Sequence, residues 1–343
     1  MKQNRIFLTL TFIIVCGLLF SQTNPAPGNS TATGNKRWVL VVHGGAGGPV
    51  KGVMKPEIEK QYTDSLTRAL KIGSVILTSG GSSLDAVEAV IRFLEDCPMF
   101  NAGRGAVLTH DGRAEMDASI MDGKTGKAGA VACVTTIKNP ITAARAVMEK
   151  TPHVLFIGQG ADDFAKDAGL QIVDPSYFIT PERLEAWKTA KMKTGPGRPA
   201  PSSADTNKKG TVGCVALDLY GNLAAGTSTG GMMMKPGGRV GDSPIIGAGT
   251  WANNNSCAVS STGHGEYFIR DCAAYSVAVQ MMYANKNMED AARFVIFDLL
   301  KTKGGEGGLI AVDKDGNIAM PFSTNAMFRG SISAGTQPEV LIY

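Results

Sequence analysis

Residues 209–231, KGTVGCVALDLYGNLAAGTSTGG, decide the fold class. Two largely apolar segments flank Tyr220-Gly221-Asn222, a turn signal too short to join anything but antiparallel strands. LIAVDKDGNIAMPF, around Asp315-Gly316, and AVLTHDGRAEMDASIM, around Asp111-Gly112, repeat the pattern. Largely antiparallel sheets follow, which excludes a Rossmann-like or flavodoxin-like core. Thr211 opens a run, TVGCVAL, apolar enough for a central strand.

Further out, residues 37–42 (RWVLVV) predict a buried strand stopped by HGGAGG. Residues 57–77 and 83–96 predict helices. In the second, Leu84, Val87, Val90, Ile91 and Leu94 recur at helical spacing, with Ser82 or Ser83 as N-cap. Helices are also expected at 139–150, 160–169, 271–285 and 288–302. The result is a layered α/β protein with helices covering antiparallel sheets.

The chain has 343 residues, 43% hydrophobic and 19% charged, enough for a sizeable core. Glycine is abundant, at 42 residues, but without a collagen period. The net charge of +4 hints at an anionic partner until it is located. Lys2 and Arg5 carry +2, and residues 188–210 carry +5, so the remaining body is mildly acidic, at −3. Nucleic acid is not an expected partner.

Residues 1–21 have a basic start, an apolar run from Ile6 to Phe20 and small or polar residues after it. This is the layout of a cleaved secretory signal, with a cut at Ser21/Gln22. The run is short for a membrane anchor, and Val15 is too bulky for lipidation at Cys16. A periplasmic or secreted location is expected, with no membrane association after cleavage. Residues 22–36 read as a disordered lead-in, and 188–210, rich in Pro, Gly, Ser and Lys, as a mobile linker. Five widely spaced cysteines outside the leader, with no CxxC, argue against a disulfide framework or zinc site. The four histidines are scattered.

Several motifs could carry chemistry. His43-Gly-Gly-Ala-Gly-Gly48 follows a strand, and suits a phosphate cradle, oxyanion-hole amides or a tight turn. It lacks the spacing of known phosphate loops, and its four glycines favour backbone packed close to a site. Gly226-Thr-Ser-Thr-Gly230 matches GxSxG and, with Asp242 and His264, offers an esterase triad through Ser228. However, no helix follows it and its strand belongs to a hairpin. Thr211 is the other candidate nucleophile. Cleavage at Gly210–Thr211 would free an α-amine on the same residue, and such an amine, with a pKa near 7.7–8.0, can act as its base. Gly210 leaves the scissile carbonyl open. Arg239 and Asp242, three residues apart in a Gly-rich loop, suit either a local ion pair or a clamp for the carboxylate and ammonium of a small zwitterion. Thr262 and the Gly263 amide, after the strand CAVSS, suit an oxyanion. An amino-acid-binding protein using the same clamp is the non-enzymatic alternative.

HGGAGG, FNAGRGAVLTHDGRAEMDASIMDG (100–123), residues 209–231, GRVGDSP (238–244) and STGHGE (261–266) together resemble the plant-type asparaginases, or isoaspartyl peptidases, which are N-terminal nucleophile hydrolases. The likeness runs from about Trp38 to about Gly330 with the motifs in order. It implies a four-layer αββα fold and self-cleavage into an α subunit (37–210) and a β subunit (211–343). It also implies an (αβ)₂ assembly. It further implies Thr211 as nucleophile, Thr229 as its activator and Asn101 close by. Arg239 and Asp242 would bind substrate, with Thr262 and Gly263 as the oxyanion hole. A sodium ion would be held by the backbone carbonyls of Leu94, Glu95, Cys97, Phe100, Ala102 and Arg104, Arg104 being unusual there. The implied reaction is hydrolysis of L-asparagine and β-aspartyl dipeptides without a catalytic cofactor. The related glycosylasparaginases share GRVGDSP and the threonine. They typically carry Asp where this chain has Gly210, and lack the HGGAG start.

Overall fold

The computed structural model describes residues 37–194 and 210–343. The signal segment and lead-in lie outside these residues. In chain order the strands are β1 (Val39–Ala46), β2 (Met116–Asp122), β3 (Ala128–Val134), β4 (Leu155–Ile157), β5 (Val212–Leu217) and β6 (Leu223–Thr229). They continue with β7 (Thr250–Ala252), β8 (Cys257–Gly263), β9 (Gly307–Asp313), β10 (Ile318–Ala319), β11 (Met327–Ser333) and β12 (Glu339–Leu341). The α-helices are α1 (Pro56–Thr78), α2 (Ser83–Asp96), α3 (Pro140–Lys150), α4 (Gly158–Asp167), α5 (Pro181–Thr194), α6 (Gly265–Arg270), α7 (Ala273–Ala284) and α8 (Met288–Arg293).

One sheet has eight strands in the order β12-β11-β1-β5-β6-β2-β3-β4, and the other four, β10-β9-β8-β7. Every registered pair is antiparallel except β3 with β4. The stretch that opened the reading forms β5 and β6 at the centre of the large sheet, joined at the expected turn.

The period of two along a strand builds the layers. Leu40 and Val42 of β1, and Cys214 and Ala216 of β5, pack with Leu66, Val90 and Ile141 of α1, α2 and α3. Their neighbours Val39, Val41, Val215 and Leu217 point the other way, onto Ala258, Ile310 and Val312 of the small sheet. The small sheet's far face, with Val259, Leu309 and Ala311, is covered by Val277 of α7 and Ala292 of α8. The order is helices, sheet, sheet, helices, a four-layer αββα sandwich. Both faces of the central strands are buried, which is why they read as continuous apolar runs.

α2 occupies residues 83–96 as predicted, and Ser82 caps it by accepting from the Asp85 amide at 3.1 Å. Four expectations change. β1 does not stop at Val42 but runs through His43-Gly44-Gly45 to Ala46, with a bulge between His43 and Gly45. The Asp111-Gly112 turn closes only a single bridge, Leu108 to Ala114, because β2 starts at Met116 and pairs with β3 and β6. The helix expected at 288–302 is α8 followed by a wider π-type turn at Phe294–Leu300 and a tight one at Lys301–Lys303. Residues 188–194 of the expected linker are the end of α5. Trp187 anchors this helix by donating to the Thr109 carbonyl at 2.8 Å. Residues 195–209 lie outside the described chain.

Candidate active site

Thr211 immediately precedes β5 and is buried. It shares the face of Gly213 and Val215, so its side chain enters the space between the sheets. Thr227 and Thr229 of β6 have the parity of Leu223 and Ala225 and face the same space. The Thr211 hydroxyl donates to Thr229 Oγ1 at 3.0 Å. Thr229 Oγ1 also accepts the Gly231 amide at 3.0 Å. Asn101 fixes that turn from behind. Its side-chain amide donates to the Gly231 carbonyl at 2.7 Å, its Oδ1 accepts from Val107 N at 2.9 Å, and its carbonyl accepts from Gly230 N at 3.0 Å. Asn101 is thus linked to Thr211 through Gly231 and Thr229 rather than by a direct hydrogen bond between the two side chains.

Ser228 has the opposite parity. Its hydroxyl points into the helical layer and donates to Glu95 Oε1 at 2.7 Å, with no exposure to solvent. β6 is a central strand of the hairpin, and no helix follows it. The esterase triad of Ser228, Asp242 and His264 is therefore overturned. His264 instead precedes α6, beside the ring of Tyr267 and near Glu266.

The glycines of β1 bear on the scissile position. Gly45 adopts φ +110°, and a Cβ there would meet Gly210 Cα and carbonyl carbon at 2.5 and 2.6 Å. A side chain on either residue would force the two backbones apart. The next amide, Ala46 N–H, donates to Thr262 Oγ1 at 3.1 Å. Thr262 is buried, and Gly263 ends β8 in an exposed position.

The Arg239 guanidinium is half-buried and forks onto Glu266, with nitrogen–oxygen distances of 2.8–3.0 Å. Burial works against ionisation of Glu266, but the hydrogen bonds and charge of Arg239 outweigh it and hold its carboxyl below the ordinary range. Asp242 is buried with no hydrogen bond to Oδ2. Burial pushes its pKa up to about 7, against the opposing pull of its own backbone amide and of Arg239. Behind Thr229 sits a pair that sequence reasoning missed. Lys235 Nζ lies 3.9 Å from Asp117 Oδ2, both side chains almost wholly buried, and donates to the Glu115 carbonyl at 2.8 Å. Asp117 is the register partner of Thr229. Burial raises its pKa despite Lys235.

The loop after α2 presents backbone oxygens. Leu94, Cys97 and Ala102 carbonyls accept turn hydrogen bonds from Cys97, Phe100 and Gly105. At Gly103, φ +50°, an added Cβ would collide with the Glu95 carbonyl, so no side chain fills the cradle. Arg104 points away, its guanidinium 5.5 Å from the ring of Tyr177. Among the described residues no cluster of three or more His, Cys, Asp or Glu side chains could hold a metal. The donor set is carbonyl oxygen, which suits a hard cation rather than a transition metal. The Glu95 side chain is engaged elsewhere. Burial raises its pKa to about 8, and Ser228 and the Ile141 amide donate to it.

Residues 36–342 match the family model described as asparaginase. The chain belongs to the asparaginase family. It is 49% identical over 308 residues to the isoaspartyl peptidase of Salmonella typhimurium, covering 89% of this chain and 98% of that protein. To the isoaspartyl peptidase of Escherichia coli it is also 49% identical, covering 89% and 96%. The isoaspartyl peptidase/L-asparaginase of Homo sapiens is 42% identical over 290 residues, covering 84% and 91%. This asparaginase-family chain is therefore a hydrolase, and its αββα sandwich is the fold of an N-terminal nucleophile amidohydrolase. That membership gives the buried Thr211–Thr229 pair a chemical context, because hydroxyls otherwise read as ordinary strand residues.

Proposed function

We propose that this protein is an exported, self-processing hydrolase of β-aspartyl dipeptides and of the side-chain amide of L-asparagine. The observation that carries the reading is the Thr211 hydroxyl, buried between the sheets, hydrogen-bonded to Thr229 at 3.0 Å and placed directly after Gly210. Attack of the Thr211 hydroxyl on the Gly210 carbonyl breaks the Gly210–Thr211 amide bond, frees the α-amine and leaves an ester on Oγ1, which water then hydrolyses to a Gly210 carboxylate and a restored hydroxyl. That amine then takes the hydroxyl proton as Oγ1 attacks the substrate's β-carbonyl. The Thr262 hydroxyl and the Gly263 amide stabilise the oxyanion. The leaving amine departs with the proton, and water releases L-aspartate from the ester on Thr211.

Substrate selection follows from charge. Arg239 exchanges Glu266 for the substrate α-carboxylate, matching its planar fork. Asp242, whose Oδ2 lacks a partner, takes the α-ammonium. The carbonyls of Leu94, Glu95, Cys97, Phe100, Ala102 and Arg104 would hold a sodium ion that stiffens the loop leading to Asn101. Two processed chains would associate as (αβ)₂, and the leader would direct the protein to the periplasm or outside.

Intact-mass and N-terminal sequencing of the purified protein test the reading. Two fragments are expected, the second beginning at Thr211, with ammonia released from asparagine and aspartate from isoaspartyl dipeptides. Thr211→Ala should give one uncleaved chain with activity reduced by about 10⁴-fold or more. A fully active single chain would overturn the mechanism. Preferential cleavage of glycosylated asparagine would favour the glycosylasparaginase branch, and tight aspartate binding without turnover would favour a binding protein.

A further inference from the structure

Five buried polar side chains on five different strands meet between the sheets. His43 Nδ1 lies 3.0 Å from the Thr211 carbonyl oxygen, and His43 Nε2 lies 2.9 Å from Ser260 Oγ. Ser260 Oγ is 2.7 Å from Thr227 Oγ1, which is 2.6 Å from Thr250 Oγ1. Ser119 Oγ is 2.8 Å from Thr250 Oγ1 and 2.6 Å from the Ser243 carbonyl, next to Asp242. His43, Ser119, Thr227, Thr250 and Ser260 all have zero exposure, so water cannot substitute for any of these partners.

Proton counting fixes the direction of the chain. The Thr211 carbonyl can only accept, so His43 Nδ1 carries the proton. Burial depresses the His43 pKa to about 3, leaving the ring neutral and Nε2 an acceptor. Ser260 must then donate to Nε2, Thr227 to Ser260 at 2.7 Å, with the Gly249 carbonyl at 3.1 Å as the longer branch for the same proton, and Thr250 to Thr227. Ser119 has one proton for two acceptors, the Ser243 carbonyl at 2.6 Å and Thr250 Oγ1 at 2.8 Å, so it props the far end while the run from Thr250 through Thr227 and Ser260 to His43 points toward Thr211. Bonds aligned in this way polarise one another. Gly213 keeps the space open, because a Cβ there would collide with both Ser260 Oγ and His43 Nε2.

Thr211 precedes the last registered pairs of β5, which are Gly213 with His43 and Val212 with Ser228. Cleavage would remove its N-terminal tether. The bonds that then hold it are its hydroxyl on Thr229 and its carbonyl on His43. On the reading of Thr211 as nucleophile, we propose that His43 is a positioning residue. Oriented by the Ser119–Thr250–Thr227–Ser260 chain, it fixes the Thr211 carbonyl and hence the angle at which amine and hydroxyl face the substrate.

Paired variants test this. His43→Asn places an amide donor where Nδ1 stands, whereas His43→Gln reaches toward Ser260 and leaves the Thr211 carbonyl without its donor. With β-aspartyl dipeptide as substrate and the processed fraction measured by mass, His43→Gln should lower kcat by about 30-fold or more with KM within about twofold, and His43→Asn by about fivefold or less. Thr227→Val, an isosteric change, should lower kcat by about three- to tenfold, and Thr227→Ser should restore it. Equal losses in the two His43 variants, or wild-type kcat in Thr227→Val, would overturn the proposal. Thr211→Ala is measured alongside. Activity surviving that change overturns the nucleophile itself, whereas an inactive Thr211→Ala with the His43 variants alike overturns only the role of His43.

Discussion

The space between the two sheets has two ends built from the same strands and the same faces, yet of opposite character. At one end Val39, Val41, Val215, Leu217, Leu223, Ala225, Ala258 and Val312 pack into an apolar core. At the other, the same face of β1, β5, β6 and β8 presents His43, Thr211, Thr227, Thr229, Ser260 and Thr262. Up to His43 the alternation along β1 is unbroken, and its register shifts only beyond that residue, at the bulge before Gly45. A continuous face simply changes from methyl groups to hydroxyls. The apolar end gives burial energy at roughly 25 cal/mol per Å² of apolar surface. The polar end gives up some of that in exchange for direction, because buried hydroxyls must find partners and so fix one another's rotamers.

The sharpest way to break this comparison is at the bulge that carries β1 into the polar end. Gly45→Ala forces a side chain against the Gly210 backbone at a φ that favours glycine. The expected result is a loss of self-cleavage of about 100-fold, since small misplacement of reacting groups has that cost. The cleaved fraction against time by mass spectrometry checks it. Processing at the parental rate would show that the contact does not position the scissile bond.

Next in size is the pH response of Asp242. Its folded pKa, about 7, lies above its ordinary value of 3.8. The folded state binds the extra proton between these values, so the stability Asp242 contributes is complete below about pH 4 and is lost as pH rises through 7. Binding runs the opposite way, because only the ionised carboxylate pairs with an ammonium. The inhibition constant of L-aspartate should therefore weaken about tenfold per unit as pH falls below 7. A flat profile from pH 5 to 8 would remove Asp242 from the clamp.

How much of this division was legible follows from the same geometry. The β5–β6 hairpin was readable because its turn is local, and α2 because its apolar spacing and Ser82 cap are local. Thr211 stood out through the glycine before it and the linker leading to it. The partners of His43 were not readable. Ser119, Thr227, Thr250 and Ser260 come from strands far apart in sequence, and a hydroxyl in a strand gives no sign of which face it occupies until the sheets are stacked. The sequence pattern ends β1 at Val42 because glycine ordinarily weakens a strand, but here the missing side chains admit Gly210 and the ring of Phe100. The C-terminal part of α5 looked like linker by composition. It is held by tertiary contacts, Trp187 to Thr109 and Lys191 to the His110 carbonyl.

Converting one end toward the other sharpens the comparison at intermediate cost. Val215→Thr puts a hydroxyl into the apolar end with nearly unchanged shape. Its cross-strand neighbours Val41 and Ala225 offer the new hydroxyl no side-chain partner. Stability should fall by about 1–3 kcal/mol by denaturant titration, with kcat retained. A loss of kcat at constant stability would mean that the two ends are coupled rather than distinct.

The smallest effect is expected at Arg104, which lies in neither end. Its carbonyl belongs to the loop that would hold the cation, but its exposed side chain lies over Tyr177, 5.5 Å from the ring centre. Coordination by a backbone oxygen depends on the path of the chain, and Gly103 and Gly105 on either side set that path. Arg104→Ala should therefore shift stability by about 0.5 kcal/mol or less, the cost of one exposed cation–π contact. The dependence of the melting temperature on sodium concentration should stay as in the parent. If the sodium dependence disappears with the side chain, the guanidinium rather than the carbonyl cradle organises the loop.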